Sequence, residues 1–274
     1  MSESASAPTR TRPLVFAHRG ASAEEPEHTL AAYEKGIAQG ADGVECDVRL
    51  TADQHLVCVH DRKVDRTSNG KGVVAALELA QLEQLDWGSW KLSDADKGEG
   101  PDRNRNQLLT LNSLLTTVTT VERPLITLIE TKHPSRHAGK VEKAVAESLD
   151  RFGFTGPEGV GPGGHCARVM SFSHLALQRM RVLDKGVGLV YLVEYVPVWL
   201  RDGSLPKGVQ TLGLDVRLIR KTTKIVARQQ ARGHEVFAWT VDSADDVRRC
   251  LDLGVDAIIT NRPKFVLEEL ARNG

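Results

Sequence analysis

The chain has 274 residues, which is enough for one large α/β barrel with a sizeable hydrophobic core. Its 36 basic residues balance 36 acidic ones, so the overall charge gives no reason to expect a nucleic acid or an anionic membrane as partner. The four cysteines include no C-x-x-C pair, which argues against a zinc knuckle or a disulfide framework and indicates reduced thiols in a cytoplasmic compartment.

The chain opens on the polar stretch MSESASAPTRTRP, which lacks the apolar region of a secretory signal. Residues 1–12 are therefore expected to form a disordered lead, and residues 13–274 a single barrel domain. The most apolar long stretch, GVGLVYLVEYVPVWL, is interrupted by Glu194 and Pro197 and is too short to span a membrane. These features predict a cytoplasmic protein without stable membrane association.

Short β-rich runs alternate with amphipathic segments along the chain. The eight runs are residues 13–18, 42–50, 124–132, 167–173, 187–193, 210–216, 234–242 and 256–261. The amphipathic segments are residues 28–40, 137–153, 173–186, 221–233 and 243–254. This alternation predicts a parallel sheet in an α/β fold, and eight repeats close naturally into a (β/α)8 TIM barrel.

One segment does not fit the alternation. After the short strand HLVCVHD, residues 62–110 carry a turn, a helical pattern, two tryptophans and a charged, Gly-rich tail. We expect a small insertion after the second barrel strand that caps one mouth of the barrel. Trp87 and Trp90 are expected to form its core, and its tail is expected to be mobile.

Acidic side chains accumulate at the expected carboxyl ends of two strands, which is where barrels of this type carry their chemistry. Glu45 and Asp47 are two residues apart, as are Glu130 and Lys132, so each pair shares one face of its strand. Carboxylates crowded on an inward face are costly unless a cation compensates them. Oxygen ligands suit Mg²⁺, Mn²⁺ or Ca²⁺ rather than zinc. The pattern therefore predicts one divalent cation held by Glu45, Asp47 and Glu130.

Cationic and titratable side chains are expected at the same end of the barrel. His18 and Arg19 end the first strand, and His60 ends the short strand that follows the second. Arg19 and Lys132 beside a metal ion would form an anion site, for which phosphate is the expected occupant. Two histidines can hold opposite protonation states near neutral pH, which matches acid/base cleavage of a phosphoester.

Each of these residues also has a simpler interpretation when taken alone. A histidine at a strand end is usually a hydrogen-bonded turn residue, and an E-x-D pair is commonly a solvated face. Lys132 could be the Schiff-base lysine of an aldolase, although that leaves the carboxylates unexplained. A catalytically silent phosphate-binding barrel would lack an essential group, and none is missing. Because all these residues fall at strand ends of one barrel, phosphoester chemistry is favoured.

Seven stretches of the sequence carry a resemblance to a known family. AHRGAS, PEHTLAAY, GADGVECDVRLTADQHLVCVHD, IETKHP, VMSFS, FAWTVD and GVDAIITNRP resemble the glycerophosphodiester phosphodiesterase family, over about residues 13–263. The resemblance implies a TIM barrel that hydrolyses glycerophosphodiesters, such as glycerophosphocholine or glycerophosphoethanolamine, to sn-glycerol 3-phosphate and the free alcohol. It also implies acid/base catalysis by His18 and His60, ligation of Ca²⁺ or Mg²⁺ by Glu45, Asp47 and Glu130, phosphate binding by Arg19 and Lys132, and contact with glycerol by Trp239.

Three positions depart from the common pattern of that family. His28 stands where Asn is typical, Asp242 where Asn is frequent, and Asn261 where Asp is common. None of the three is expected to touch the metal ligands or the acid/base pair. His28 could adjust the capping of the following helix or the orientation of a neighbouring ligand.

A related phosphodiesterase acting on lysophospholipid or sphingolipid headgroups is the main alternative. It requires an apolar channel or a membrane-binding face, and the chain has only 5% aromatic residues and no basic amphipathic helix. The sequence leaves open which histidine is the acid and whether the barrel is a monomer or a homodimer. It also leaves open whether water or the neighbouring glycerol hydroxyl attacks, the latter giving a cyclic phosphate.

Overall fold

The computed structural model describes residues 12–91, 106–133, 135 and 139–273. The predicted disordered lead therefore lies outside the described residues except for Arg12. Residues 92–105, which include most of the charged, Gly-rich tail that is predicted to be mobile, also lie outside them. Arg12 donates to the Asp42 carboxylate at 2.6 Å, just before the first strand.

Nine strands occur in the described residues. They are β1 (Leu14–His18), β2 (Gly43–Leu50), β3 (Leu56–Cys58), β4 (Ile126–Thr131), β5 (Cys166–Ser171), β6 (Gly188–Val193), β7 (Thr211–Asp215), β8 (Glu235–Trp239) and β9 (Ala257–Thr260). All but β3 pair in parallel in the order β1-β9-β8-β7-β6-β5-β4-β2, and pairing of β1 with β2 closes the barrel. The predicted (β/α)8 TIM barrel is confirmed, although the strands are shorter than the predicted runs.

Strand β2 shows how the barrel separates two environments. Val44, Cys46 and Val48 belong to the large apolar cluster between the barrel and its helices. Glu45 and Asp47 alternate with them and are buried on the opposite, inward face. The prediction that the two carboxylates share a face is confirmed.

A smaller apolar cluster fills the interior of the barrel. Its buried members are Phe16, Leu128, Met170, Val190, Leu192, Phe237, Ala257 and Ile259. Gly43 pairs in register with Phe16, and a Cβ at Gly43 would lie 2.8 Å from the Phe16 ring and 2.0 Å from the Ile126 carbonyl oxygen. The absence of a side chain at Gly43 thus lets the Phe16 ring and strand β4 approach β2 closely. The barrel interior is therefore a packed core.

Nine α-helices lie in the described residues. They are α1 (Leu30–Ala38), α2 (Leu79–Leu82), α3 (Leu111–Thr119), α4 (Lys140–Arg151), α5 (His174–Leu183), α6 (Val216–Lys221), α7 (Lys224–Gln230), α8 (Ala244–Asp252) and α9 (Pro263–Asn273). The sequence patterns do not predict α3, whose threonines are poor helix formers. The Thr110 side chain nevertheless caps α3 by accepting from the Ser113 amide at 3.1 Å. Across the described parts of the chain, we find no helix with both the length and the apolar character needed to cross a membrane.

The described residues between β3 and α3 pack around a core of their own. β3 pairs antiparallel with the end of β2, and the buried members of the small core are Val57, Val59, Val64, Val74, Leu82 and Trp87. Trp90 is 40% exposed and donates its indole N–H to the Trp87 carbonyl oxygen at 3.0 Å, so its predicted place in this core is wrong. The insertion boundaries at about 62 and 110 stay a prediction.

Truncation of a side chain in the barrel interior should destabilise the whole fold. Leu128 is fully buried there, and we expect Leu128→Ala to lower the free energy of unfolding by about 2–5 kcal/mol because a cavity remains. Val182→Ala on α5, at a position 80% exposed, is the control and should change it by less than about 0.5 kcal/mol. Urea denaturation monitored by tryptophan fluorescence measures both values. Equal effects of the two substitutions would contradict a packed barrel interior.

Candidate active site

Three carboxylates meet at the carboxyl end of the barrel. Glu45 and Asp47 project from one face of β2, and pairing of Asp47 with Glu130 in register brings the β4 carboxylate beside them. One carboxylate oxygen from each residue lies within 4.8 Å of the other two, and all three side chains are buried. The predicted acidic cluster is therefore present as a candidate metal centre.

Burial and mutual repulsion disfavour the charged state of this cluster. Burial, together with the charge of Asp47, raises the pKa of Glu45 well above its usual range and that of Glu130 to about 8. A cation among the three oxygens would oppose both effects, because a nearby opposite charge favours the carboxylate form. The three carboxylate oxygens converge, and their charges are not fully compensated. Such a site fits a hard divalent cation such as Mg²⁺ or Ca²⁺.

Two cationic side chains contact the cluster. Arg19 follows β1, and its Nε lies 3.1 Å from Asp47 Oδ2, while its backbone amide donates to Glu45 Oε2 at 3.1 Å. Lys132 follows β4, and its Nζ lies 3.2 Å from Asp47 Oδ1 and 2.7 Å from Glu130 Oε1. Although burial opposes it, the charges of Lys132 and Arg19 hold the pKa of Asp47 well below its usual range. Asp47 is thus the carboxylate of the cluster that stays ionised.

His28 also contacts the acidic cluster. Its Nε2 lies 3.0 Å from Asp47 Oδ2, and its Nδ1 lies 2.8 Å from the hydroxyl of Tyr33, which is 3.2 Å from the Glu45 carbonyl oxygen. The expectation that this position avoids the metal-ligating carboxylates is wrong. Thr29, the residue after His28, caps α1, and the suggested adjustment of this cap by His28 stays a prediction. Its suggested effect on the orientation of a neighbouring ligand agrees with the contact to Asp47.

His18 is held by a residue from the last barrel strand. Its Nδ1 lies 2.7 Å from Asn261 Oδ1, and its Nε2 points to the acidic cluster, 3.9 Å from Glu45 Oε2. Burial, with the charge of Arg19 beside it, lowers the pKa of His18 to about 3, so the ring is neutral at neutral pH. The expectation that Asn261 does not touch the acid/base pair is wrong. Asp242 contacts His18 only through Asn261, to which it is hydrogen-bonded at 2.6 Å.

His60 is fixed at both its backbone and its ring. Arg49 donates to the His60 carbonyl oxygen from Nε at 3.0 Å and from Nη2 at 2.7 Å. The ring Nδ1 lies 2.7 Å from Asp61 Oδ1, which leaves Nε2 as the nitrogen available to a substrate. Burial lowers the pKa of His60. Hydrogen bonds from Arg66 lower the pKa of Asp61, which therefore stays ionised beside the ring.

Arg66 connects the two sides of the site and was not identified from the sequence. Its guanidinium donates to both oxygens of Glu27 at 2.8 Å and to Asp61 Oδ2 at 2.7 Å. Glu27 in turn accepts from Arg19 Nη1 at 3.0 Å. A continuous ionic network therefore runs from Arg19 to the partner of His60. Its sequence signal is weak, since Arg66 lies in the segment after β3 and no local pattern relates it to Glu27.

A cleft of about 430 Å³ opens above the acidic cluster. Seven of the eight predicted site residues line it: His18, Arg19, Glu45, His60, Glu130, Lys132 and Trp239. Asp47, the eighth, contacts Arg19 and Lys132. Two aromatic side chains also line the cleft, and these, Phe172 and Trp239, pack edge to face with their centroids 5.4 Å apart. Trp239 Nε1 is buried, and no described protein group accepts its hydrogen.

Comparisons with known proteins concern the family and the fold of the chain. The model of the glycerophosphoryl diester phosphodiesterase family matches residues 18–265. A probable glycerophosphodiester phosphodiesterase 1 of Mycobacterium tuberculosis is 41% identical over 96% of this chain and 95% of its own length. A glycerophosphodiester phosphodiesterase of Bacillus subtilis is 32% identical over 92% of this chain and 84% of its own. Among solved structures, an Oleispira antarctica phosphodiesterase in complex with the product sn-glycerol-3-phosphate superposes with a TM-score of 0.81 at 25% identity, over 95% of this chain and 97% of that one.

Loss of the Arg66 network should loosen the segment that follows β3. We expect Arg66→Met to increase hydrogen–deuterium exchange of the backbone amides in residues 61–74 roughly tenfold, because several charge-assisted hydrogen bonds are removed. Exchange in β4 and β8 should stay unchanged. Lys71→Met removes the same charge from an exposed position of the same segment and is the control. An equal increase in both variants would show that charge, not the bonds to Glu27 and Asp61, orders the segment.

Proposed function

Because this chain belongs to the glycerophosphoryl diester phosphodiesterase family, we propose that it hydrolyses glycerophosphodiesters such as glycerophosphocholine and glycerophosphoethanolamine. The products would be sn-glycerol 3-phosphate and the free alcohol. The observation that carries this proposal is one cleft that is lined by two of the three clustered carboxylates, two cationic side chains and both predicted histidines, with Asp47 directly beneath them in the same cluster. The solved Oleispira antarctica phosphodiesterase, whose bound product is sn-glycerol-3-phosphate, supports the choice of product.

We propose that Glu45, Asp47 and Glu130 hold one divalent cation, with Mg²⁺ or Ca²⁺ preferred and Mn²⁺ as a further candidate. When bound, such a cation supplies Lewis-acid stabilisation of the charge that develops on the phosphate oxygens. Asp47 is ionised without it, whereas Glu45 and Glu130 would lose their protons as the cation enters. Cation affinity should therefore fall as the pH is lowered.

Arg19 and Lys132 are proposed to bind the phosphate, since both cations line the cleft beside the acidic cluster. Although burial opposes it, the charges of Asp47 and Glu130 raise the pKa of Lys132. Lys132 therefore stays an ammonium, which suits an anion and does not suit the neutral nucleophile of a Schiff-base aldolase. Trp239 is proposed to line the glycerol side of the cleft.

His18 and His60 are proposed as the acid/base pair. Both line the cleft, and both have Nδ1 engaged by another side chain, so that each presents Nε2 to the substrate. One imidazole would remove the proton from the attacking oxygen, and the other would donate a proton to the leaving alcohol oxygen. The attacking oxygen is that of water or of the neighbouring glycerol hydroxyl.

A lysophospholipid is the second candidate substrate, because apolar side chains are exposed around the mouth of the cleft. Tyr195 is 69% exposed and Phe172 is 39% exposed, and both line the cleft. Leu175 and Val198 follow these residues in the chain and are also exposed. An acyl chain could pack against these side chains while the phosphodiester occupies the same catalytic groups.

The partner proposed for this site is a small-molecule glycerophosphodiester, bound by a monomer or homodimer of the barrel. We propose a cytoplasmic location, supported by the four cysteines, which are free thiols in the structure. Fractionation of cells that express the tagged chain would test the location.

Product identification tests the proposed reaction. The purified protein is incubated with glycerophosphocholine in EDTA and after restoration of Mg²⁺, Mn²⁺ or Ca²⁺ in turn. We expect sn-glycerol 3-phosphate and choline only when a cation is present, because charge on the phosphate oxygens needs neutralisation. Phosphocholine as product would mean that the opposite P–O bond breaks. Release of choline from lysophosphatidylcholine alone would select the second candidate.

Removal of either proposed acid/base imidazole should abolish most turnover. His18→Ala and His60→Ala are each expected to lower kcat about 10²- to 10⁴-fold, since a general acid or base contributes that much. Calorimetric titration with Ca²⁺ should give an affinity close to that of the wild type, because neither ring is a proposed ligand. His55→Ala, at an exposed position, is the control. Near-wild-type turnover in both site variants would refute the assignment.

A further inference from the structure

Asp242 and Asn261 form a chain of hydrogen bonds that ends at Nδ1 of His18. Asp242 Oδ1 accepts from the Asn261 backbone amide at 2.9 Å and from the Thr260 hydroxyl at 2.8 Å. Asp242 Oδ2 accepts from Asn261 Nδ2 at 2.6 Å. The other end of that amide, Oδ1, lies 2.7 Å from His18 Nδ1 and 2.7 Å from the Ser22 hydroxyl.

The chemistry of these groups permits one orientation of the Asn261 amide. Both oxygens of Asp242 accept hydrogen bonds, and the NH₂ group of Asn261 is the donor that faces Oδ2. The carbonyl oxygen of the amide then faces the imidazole, and a carbonyl oxygen can also only accept. The hydrogen between Asn261 and His18 therefore belongs to His18 Nδ1, and in the neutral ring Nε2 carries a lone pair.

We propose that Asp242 and Asn261 are positioning residues that hold His18 in the Nδ1–H tautomer, with the Nε2 lone pair directed into the cleft. This role rests on the proposed function, in which His18 Nε2 exchanges a proton with the phosphodiester or its attacking oxygen. The Ser22 hydroxyl, 2.7 Å from both the His18 carbonyl oxygen and Asn261 Oδ1, fixes the distance between the end of β1 and the amide. Neither Asp242 nor Asn261 needs to touch the substrate.

The two positioning residues form one unit, because exchange of their side chains keeps every hydrogen bond. In the double variant Asp242→Asn/Asn261→Asp, the side-chain carbonyl oxygen at position 242 would still accept two hydrogen bonds. Their donors would be the Thr260 hydroxyl and the backbone amide of residue 261. The NH₂ group of the introduced amide would donate to the new carboxylate, whose other oxygen would accept from His18 Nδ1. The tautomer is therefore kept although charge has moved next to the ring.

Asp242→Asn alone breaks the unit. The carbonyl oxygen of the introduced amide keeps the two donors of the original carboxylate oxygen, so its NH₂ group faces the NH₂ group of Asn261. Rotation of the Asn261 amide relieves this conflict and turns its NH₂ group toward His18. An NH₂ group needs an acceptor, so Nδ1 must lose its proton and Nε2 must carry it. Nε2 would then present a hydrogen to the substrate instead of a lone pair. Every side chain that lines the cleft would still be present.

Nitrogen NMR and kinetics together test the proposal. The protein is labelled with ¹⁵N-histidine and saturated with Ca²⁺, and the His18 signals are assigned by their loss in His18→Gln. Protonated and unprotonated ring nitrogens differ widely in ¹⁵N chemical shift, so the tautomer can be assigned directly. We expect the proton on Nδ1 in the wild type and in the exchanged double variant, and on Nε2 in Asp242→Asn. With glycerophosphocholine, kcat of Asp242→Asn should fall about 10²-fold with KM little changed, and the double variant should recover to within about tenfold of the wild type.

Three results would overturn the proposal: a proton on Nδ1 in Asp242→Asn, full kcat in that variant, or failure of the double variant to keep the Nδ1 proton. Asp245→Asn removes the same charge from an exposed residue of the same segment and should match the wild type in both measurements. The NMR arm needs no turnover. If the wild type releases no product from any phosphodiester, the proposed function fails, whereas the chemical shifts still decide whether Asp242 and Asn261 fix the ring.

Discussion

The repulsion among three buried carboxylates is the constraint on which the open end of this barrel depends. Strand alternation and the β2–β4 register place Glu45, Asp47 and Glu130 together, and neither feature can change without moving the barrel core. Positive charge must therefore come from the chain and, in the function proposed above, from a bound cation. Arg19 and Lys132 meet part of this need, and they are also the cations best placed for a phosphate. The side chains that compensate the buried carboxylates are thus the same ones that are proposed to bind the phosphate.

A second layer of residues holds the groups that face the cleft. His18 is held by Asn261, His60 by Asp61, and Asp47 by His28, each through a hydrogen bond of 3.0 Å or less. These supports come from different parts of the fold: the end of β9, the end of the short strand β3 and the loop before α1. The barrel brings these separate elements to one rim. The orientation of the side chains that face the cleft therefore depends on closure of the whole sheet.

Local sequence patterns predict the side chains that form the acidic cluster and its contacts well, because the geometry that places them is local. The two-residue spacing in ECD and ETK places side chains on one strand face, and the rule that barrel strands expose their carboxyl ends brings β2 and β4 together. Arg66 and Asn261 follow no such rule, since their partners lie 39 and 243 residues away in the chain. Trp90 and α3 show the same limit, since tertiary packing overrides local composition there.

The positions at 242 and 261 show why departures from a family pattern should be considered together. Taken one at a time, Asp242 in place of Asn and Asn261 in place of Asp each change the charge beside a proposed catalytic histidine. Taken together, they reverse the direction of one hydrogen bond and keep all the others, because an amide and a carboxylate have the same shape and differ in one donor group. The direction of the hydrogen bond between residues 242 and 261 therefore couples the two positions. The effect of a substitution at one of them can be predicted only when the residue at the other is known.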